Sequence, residues 1–147
     1  MQTTMQNRDL SKAPIRLLAY DHIGIRVSNK QHALHFYTAL GFIQTADFHD
    51  YEANEMMSHD GVRINLIFNA AKMLQAYKIV LDQAIKLPWI THPAFIVDDL
   101  KILEKWLIDQ EIRITEGPKP IGPRRIALFI RDPDGNVLEF NQLIEND

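Results

Sequence analysis

Apolar and polar side chains alternate over residues 22–27, where the chain begins its first regular pattern. Because successive side chains of a strand point to opposite faces, this run predicts a strand with one apolar and one polar face. The polar face carries His22, Gly24 and Arg26. Apolar residues then recur at helical spacing over 33–40, which predicts a helix that Ser28 caps and Gly41 ends.

The same pattern returns about 70 residues later. Residues 91–97 repeat the strand pattern of 21–27, with His92 at the place of His22. A second apolar helical stripe follows, with Asp98 or Asp99 as its N-cap. An internal repeat of this length predicts two copies of one structural unit.

The two copies also end alike. Asp60-Gly61 and Asp134-Gly135 each precede a strand pattern, and Asp-Gly before a strand is a hairpin signal because glycine accepts the positive φ of a tight turn. With two further strand patterns between helix and turn, each half is predicted to be βαβββ. Residues 117–123 are rich in proline and glycine and are predicted to form a loop.

The predicted fold is therefore α+β, with two βαβββ modules that pair into a curved mixed sheet around a cavity. A chain of 147 residues can bury a core of this kind. The predicted divisions are a flexible N-terminal arm at 1–14, a first module at 15–70, a connection at 71–90 and a second module at 91–147.

Composition narrows the possible functions. The net charge is −3 and lysine and arginine form no cluster, so nucleic acid is a poor candidate partner and a small molecule is the better one. The chain has no cysteine, so any metal must be held by imidazole and oxygen. No signal-like apolar segment or run of roughly 20 apolar residues occurs, which predicts no membrane association. These features are consistent with a cytoplasmic protein.

Four polar residues occupy matching places on the first and last strands of the predicted modules: His22, Asn65, His92 and Glu139. If the repeats are related by pseudo-symmetry, these residues lie around one cavity. Two imidazoles, a carboxylate and an amide suit one divalent ion such as Zn²⁺, Ni²⁺, Fe²⁺, Mn²⁺ or Co²⁺, and they leave positions for water or substrate. The sequence therefore predicts a catalytic metal site, with Asn65 as the weakest of the ligands.

The chain resembles the vicinal oxygen chelate superfamily, which includes glyoxalase I, extradiol dioxygenases and bleomycin-binding proteins. The resemblance runs from about Leu17 to Leu143. It is carried by the segments 21–27, 36–42 and 132–140 and by His92. These motifs are specific for the superfamily and weak for the reaction, and they are closest to those of glyoxalase I-like members.

The resemblance implies a metal-dependent lyase similar to lactoylglutathione lyase, with a thiol hemithioacetal such as a glutathione adduct as substrate. In that mechanism Glu139 moves a proton, while Arg26 and Asn69 hold the glutathione end. Asn65 departs from glyoxalase I, which carries a second carboxylate at this place. Arg125, which follows the proline-rich segment, is a weaker candidate contact for an anionic substrate.

Two alternatives stay open. Two histidines and one glutamate also hold Fe²⁺ in extradiol dioxygenases, and the bleomycin-binding members use the cavity to bind a drug without a metal. The resemblance further implies a homodimer, because small members of the superfamily commonly pair modules across chains.

Overall fold

The computed structural model describes residues 13–71 and 79–145. The first module contains β1 (Ile23–Arg26), α1 (Lys30–Ala39), β2 (Ile43–Phe48), β3 (Ala53–Met57) and β4 (Arg63–Ile67). The second contains β5 (Ala94–Ile96), α2 (Leu100–Asp109), β6 (Ile114–Pro120), β7 (Arg125–Arg131) and β8 (Val137–Leu143). Short 3₁₀ turns lie at His49–Tyr51 and Val80–Asp82. The predicted α+β fold of two βαβββ modules is confirmed.

Each module forms a four-stranded mixed sheet. The strand orders are β1-β4-β3-β2 and β5-β8-β7-β6, with the first and last strand of each module parallel and the other pairs antiparallel. Gly24 lies opposite Asn65 in the first sheet, and Ala94 lies opposite Glu139 in the second. The two pairs occupy equivalent positions in the two modules, so the repeat in the sequence corresponds to a repeat in the structure.

The predicted boundaries of the modules and of the connection stay predictions. The predicted N-terminal arm falls mostly on residues 1–12, which lie outside the described residues. No helix in the two described ranges is long and apolar enough to cross a bilayer. The cytoplasmic location stays a prediction.

The N-cap of α1 is Asn29, and the prediction of Ser28 is wrong. Asn29 accepts a hydrogen bond from the backbone N–H of His32 at 2.9 Å. Ser28 instead donates both its backbone N–H and its hydroxyl to the carboxylate of Asp134 in the second module. Because Asp134 of the other module binds the N–H and the hydroxyl of Ser28, the next residue, Asn29, caps the helix. Asp99 caps α2, as one of the two predicted positions.

The proline-rich segment is a strand over most of its length, so the prediction of a loop at 117–123 is wrong for its first part. β6 continues through Pro120 and pairs antiparallel with β7, with two register shifts along the pair. β6 is the outermost strand of its sheet. Prolines are tolerated there because, on an edge strand, the positions that lack an N–H can face away from the neighbouring strand.

Both modules contribute to one hydrophobic core. Its buried members include Ile25, Val27, Phe36, Tyr37, Phe42, Ile64 and Leu66 from the first module and Leu100, Leu107, Leu128, Ile130, Leu138 and Phe140 from the second. The rings of Phe42 and Phe95 meet edge-on across the modules, with centroids 5.9 Å apart. Trp106 of α2 donates its indole N–H to the carbonyl oxygen of Ala39, at the end of α1, at 2.7 Å. The two modules therefore pack as one unit.

A buried polar contact also joins the modules. The hydroxyl of Tyr37 donates to Asp132 at 2.9 Å, and both side chains are buried. Asp132 also accepts the backbone N–H groups of Asp134 and Asn136, so it shapes the turn that precedes β8. Burial raises the pKa of Asp132, and the hydrogen bonds from Asn136 and Tyr37 oppose part of that rise.

Candidate functional site

His22 and Asn65 lie on the same face of the first sheet. His22 directly precedes β1, and Asn65 of β4 lies opposite Gly24, two residues further along the chain. Both line a cavity of about 570 Å³, together with Arg26 and Asn69. The structure thus brings together the predicted metal-binding and substrate-binding residues of the first module.

The imidazole of His22 is oriented by its neighbours. Its Nδ1 lies 2.6 Å from Oδ2 of Asp21, and Oδ1 of Asp21 accepts a hydrogen bond from Arg63 at 2.7 Å. The hydrogen bond with His22 and the charge of Arg63 lower the pKa of Asp21. Because an ionised carboxylate can only accept, this contact assigns the proton to Nδ1 and leaves the lone pair on Nε2 for a metal.

The second half of the candidate site is a contact between His92 and Glu139. Nε2 of His92 lies 3.2 Å from Oε1 of Glu139, and both side chains are mostly buried. Phe129, which lies opposite Glu139 on β7, packs its ring at 76° to the imidazole, with centroids 5.5 Å apart. Asn141 donates its Nδ2 to the other carboxylate oxygen of Glu139 at 2.9 Å. Both predicted ligands of the second module are therefore held by neighbouring side chains.

The donor set fits a divalent cation. It offers two imidazoles and a carboxylate, and Oδ1 of Asn65 is buried without a hydrogen-bond partner. A buried acceptor without a partner is costly, and a bound cation would satisfy it. Across the described ranges, however, no three His, Asp or Glu side chains gather closely enough to hold a metal. One chain thus presents two separate half-sites, which we call the His22 half-site (His22 and Asn65) and the His92 half-site (His92 and Glu139).

The sequence itself decides the family. A profile of the Glyoxalase/Bleomycin resistance protein/Dioxygenase superfamily matches residues 19–140, which is most of the chain. The chain belongs to this superfamily. It is the vicinal oxygen chelate superfamily that the motifs indicated, so the resemblance is confirmed.

Solved structures, two of them named for this superfamily, have the same fold. A glyoxalase/dioxygenase from Nostoc punctiforme is 20% identical and matches with a TM-score of 0.71, over 90% of this chain and 96% of the other. A glyoxylase/bleomycin resistance protein/dioxygenase domain from Frankia sp. EAN1pec is 19% identical, with a TM-score of 0.69 and the same two coverages. A virulence protein from Salmonella typhimurium is 21% identical, with a TM-score of 0.65, over 88% of this chain and all of the other. No curated protein matches the sequence.

Of the residues predicted to bind substrate, Arg26 and Asn69 lie at the candidate site and Arg125 does not. Nε of Arg26 donates to Oδ1 of Asn69 at 2.9 Å, so these two side chains form one unit at the wall of the cavity. Arg125 begins β7 and is exposed, and it does not line the cavity of the His22 half-site. The structure therefore joins Arg26 to the candidate site but leaves Arg125 outside that cavity.

A second cavity of about 570 Å³ lies between the modules. It is bounded by β1, by the connection and by the residues that lead into β5 and β8. Its walls are mostly apolar and include Val80, Trp89 and Ile90, while Arg26 and His92 are among its few polar contacts. The part of its wall that comes from the connection was not predicted, because that segment has no repeat partner and no clear pattern.

Proposed function

We propose that this protein is a metal-dependent enzyme of the vicinal oxygen chelate type, with glyoxalase I-like lyase activity on a thiol hemithioacetal. The main support is the equivalent placement of the His22 and His92 half-sites in the two modules, at matching register positions. The orphaned amide oxygen of Asn65 supports a cation at the same place. Superfamily membership agrees with this chemistry.

His22, His92 and Glu139 would hold the metal, with Asn65 as a further oxygen donor. A divalent ion there would polarise the substrate oxygens and make a neighbouring C–H bond more acidic. Glu139 would take that proton and return it to the adjacent carbon, since its carboxylate faces the site from β8. Arg26, fixed by Asn69, would bind the anionic end of the substrate.

The proposed active protein is a homodimer. The two half-sites stay apart within one chain, so a second copy would bring its His92 half-site to the His22 half-site of the first. The segments that lead into the two modules expose large apolar side chains, with Leu17 at 94%, Tyr20 at 80% and Ile90 at 75%. Exposed apolar surface of this kind marks sites of protein association.

Mixing two inactive variants tests the shared site. Coexpressed His22→Ala and Glu139→Ala chains would form mixed dimers in which one site carries both changes and the other carries none. If the chains pair at random, half of the dimers are mixed, and each mixed dimer has one intact site of two. About a quarter of wild-type activity and metal content should therefore return. Each variant alone should stay inactive, and His35→Ala, on the exposed side of α1, is the matched control. No recovery on mixing, or a light-scattering mass near the 17.0 kDa of one chain, would contradict the shared site.

Direct assays test the reaction. Metal-free protein would be loaded separately with Zn²⁺, Ni²⁺, Fe²⁺, Mn²⁺ and Co²⁺ and supplied with methylglyoxal and glutathione. Arg26→Ala should chiefly raise KM, and Glu139→Gln should chiefly lower kcat, because binding and proton transfer depend on different residues. Failure of the wild type to bind any of these metals would refute the metal proposal.

A dioxygenase is the second candidate, and the amide at Asn65 favours it. Two histidines and one carboxylate are the ligand set that non-haem Fe²⁺ oxygenases use. Protein loaded anaerobically with Fe²⁺ would be given catechols and O₂. Oxygen uptake without hemithioacetal activity under any metal would replace the lyase proposal by this one.

A further inference from the structure

Asn141 contacts the carboxylate of Glu139 from a fully enclosed position. It lies two residues further along β8, so both side chains point to the same face of the sheet. Only 2% of Asn141 is exposed, and its Nδ2 lies 2.9 Å from Oε2 of Glu139. Its Oδ1 is buried and has no hydrogen-bond partner. The side chain therefore makes one specific hydrogen bond and leaves its other polar group unsatisfied.

Stability alone does not account for an asparagine at this position. A buried carbonyl oxygen without a partner has lost its bonds to water, and an apolar side chain of similar volume would avoid that loss. The corresponding position of the first module, 74 residues earlier, is Ile67. The neighbour that faces Asn141 on β7 is Ala127, which is also buried. At this position of the last strand, the polar group thus occurs only in the module that carries the carboxylate.

The amide can bond Glu139 in only one orientation. An ionised carboxylate accepts hydrogen bonds and cannot donate them, so Nδ2 must face Oε2 and Oδ1 must point away. Oε1 of Glu139 is left on the side of His92, at 3.2 Å from Nε2. One oxygen of the carboxylate is therefore occupied by the amide, and the other faces the His92 half-site.

We infer that Asn141 is a positioning residue for Glu139. By holding Oε2 it presents Oε1 to the metal and the substrate, and as a neutral donor it adds no charge to the site. The inference rests on the proposed metal-dependent function. Groups that orient a metal ligand commonly change metal affinity 10- to 100-fold when they are removed.

Asn54 provides a matched control. It is 1% exposed, and its Oδ1 is also buried without a partner. Its Nδ2 donates to Oε1 of Gln44 at 3.1 Å, away from both half-sites. Asn54→Leu and Asn141→Leu therefore remove the same group from equally enclosed positions, and only the second removes a contact to a candidate ligand.

The first experiment measures metal affinity by competition of the purified protein with a chelator for Co²⁺ and Zn²⁺. Asn141→Leu should weaken binding about 10- to 100-fold, as expected for loss of an orienting partner, while Asn54→Leu should stay within about twofold. A purely structural role for Asn141 would change the melting temperature of Asn141→Leu and leave its metal affinity unchanged. Unchanged affinity in Asn141→Leu, with metal bound by the wild type, would overturn the inference and leave the proposed function standing.

The second experiment needs neither metal nor a folded Asn141 variant. In ¹⁵N spectra of the metal-free protein, the side-chain amide signal of Asn141 should shift when Glu139→Gln replaces its charged acceptor. The signal of Asn54 should not move. A fixed Asn141 signal would overturn the contact itself. Failure of the wild type to bind metal would instead refute the proposed function and, with it, the role of Asn141 toward that metal.

Discussion

Replacement of Tyr37 by phenylalanine would test the buried contact between the modules. The change removes one hydroxyl and keeps the ring, so the packing around this fully buried side chain is retained. The lost hydrogen bond joins Tyr37 to the carboxylate of Asp132 at 2.9 Å. Hydrogen bonds to charged groups contribute about 1.5–3 kcal/mol, and this one is enclosed on both sides. For a chain of this size that loss corresponds to a fall in melting temperature of roughly 3–12 °C.

The loss should depend on pH with a defined sign. Burial raises the pKa of Asp132, so its protonated form favours the folded state, and that contribution disappears as pH rises through the folded pKa. The bond from Tyr37 lowers this pKa, because it stabilises the charged carboxylate. Tyr37→Phe should therefore raise the pKa of Asp132 further. The variant should come closest to the wild type at acid pH and differ most above the pKa of Asp132.

Thermal and urea unfolding across this pH range would measure the difference. Tyr20→Phe, at a site that is 80% exposed, is the matched control and should change stability by less than about 0.5 kcal/mol. In the background of Asp132→Asn the loss of stability caused by Tyr37→Phe should become smaller and lose its pH dependence, because the amide oxygen accepts only a neutral hydrogen bond and does not titrate. A loss below about 0.5 kcal/mol, or one that is equal at all pH values, would refute the argument.

Two further changes test the fold. Trp106→Phe should cost about 0.5–1.5 kcal/mol in the free energy of unfolding, measured with urea, because it removes the indole bond to Ala39 between the helices; no measurable loss would contradict that contact. Gly117→Ala should cost at least about 2 kcal/mol, since Gly117 has φ +81° and an added Cβ would lie 2.5 Å from the carbonyl oxygen of Ala127. Gly122→Ala, at φ +67° with open space around it, is the control and should cost only about 1 kcal/mol; equal losses would rule out the clash.

The sequence predicted those features that are set locally or by repetition. Alternation around His22 and His92 and the two Asp-Gly turns were sufficient for the order of elements. They also predicted that Asn65 and Glu139 occupy equivalent positions beside the first strands of their modules. Side-chain periodicity and turn chemistry act over a few residues, so they are readable without knowledge of the rest of the chain.

Features that depend on distant residues were missed or wrongly predicted. Ser28 is bound by Asp134, which is 106 residues away in sequence, and Asn29 caps the helix instead. Asn141 was visible as a polar residue on the face of Glu139, but its burial depends on the packing of two other strands. The convergence of all four ligands stays a prediction, because it depends on how two sheets, or two chains, meet, and side-chain patterns carry no information on that geometry.

The irregular course of β6 has a consequence for the behaviour of the protein at high concentration. An outermost strand with a regular row of free N–H and C=O groups is a template on which another chain can add a strand and begin to aggregate. Pro118 and Pro120 carry no N–H, and the register of β6 shifts on either side of Glu116. The row of donors is thereby interrupted along this edge, so growth of the second sheet through β6 is disfavoured.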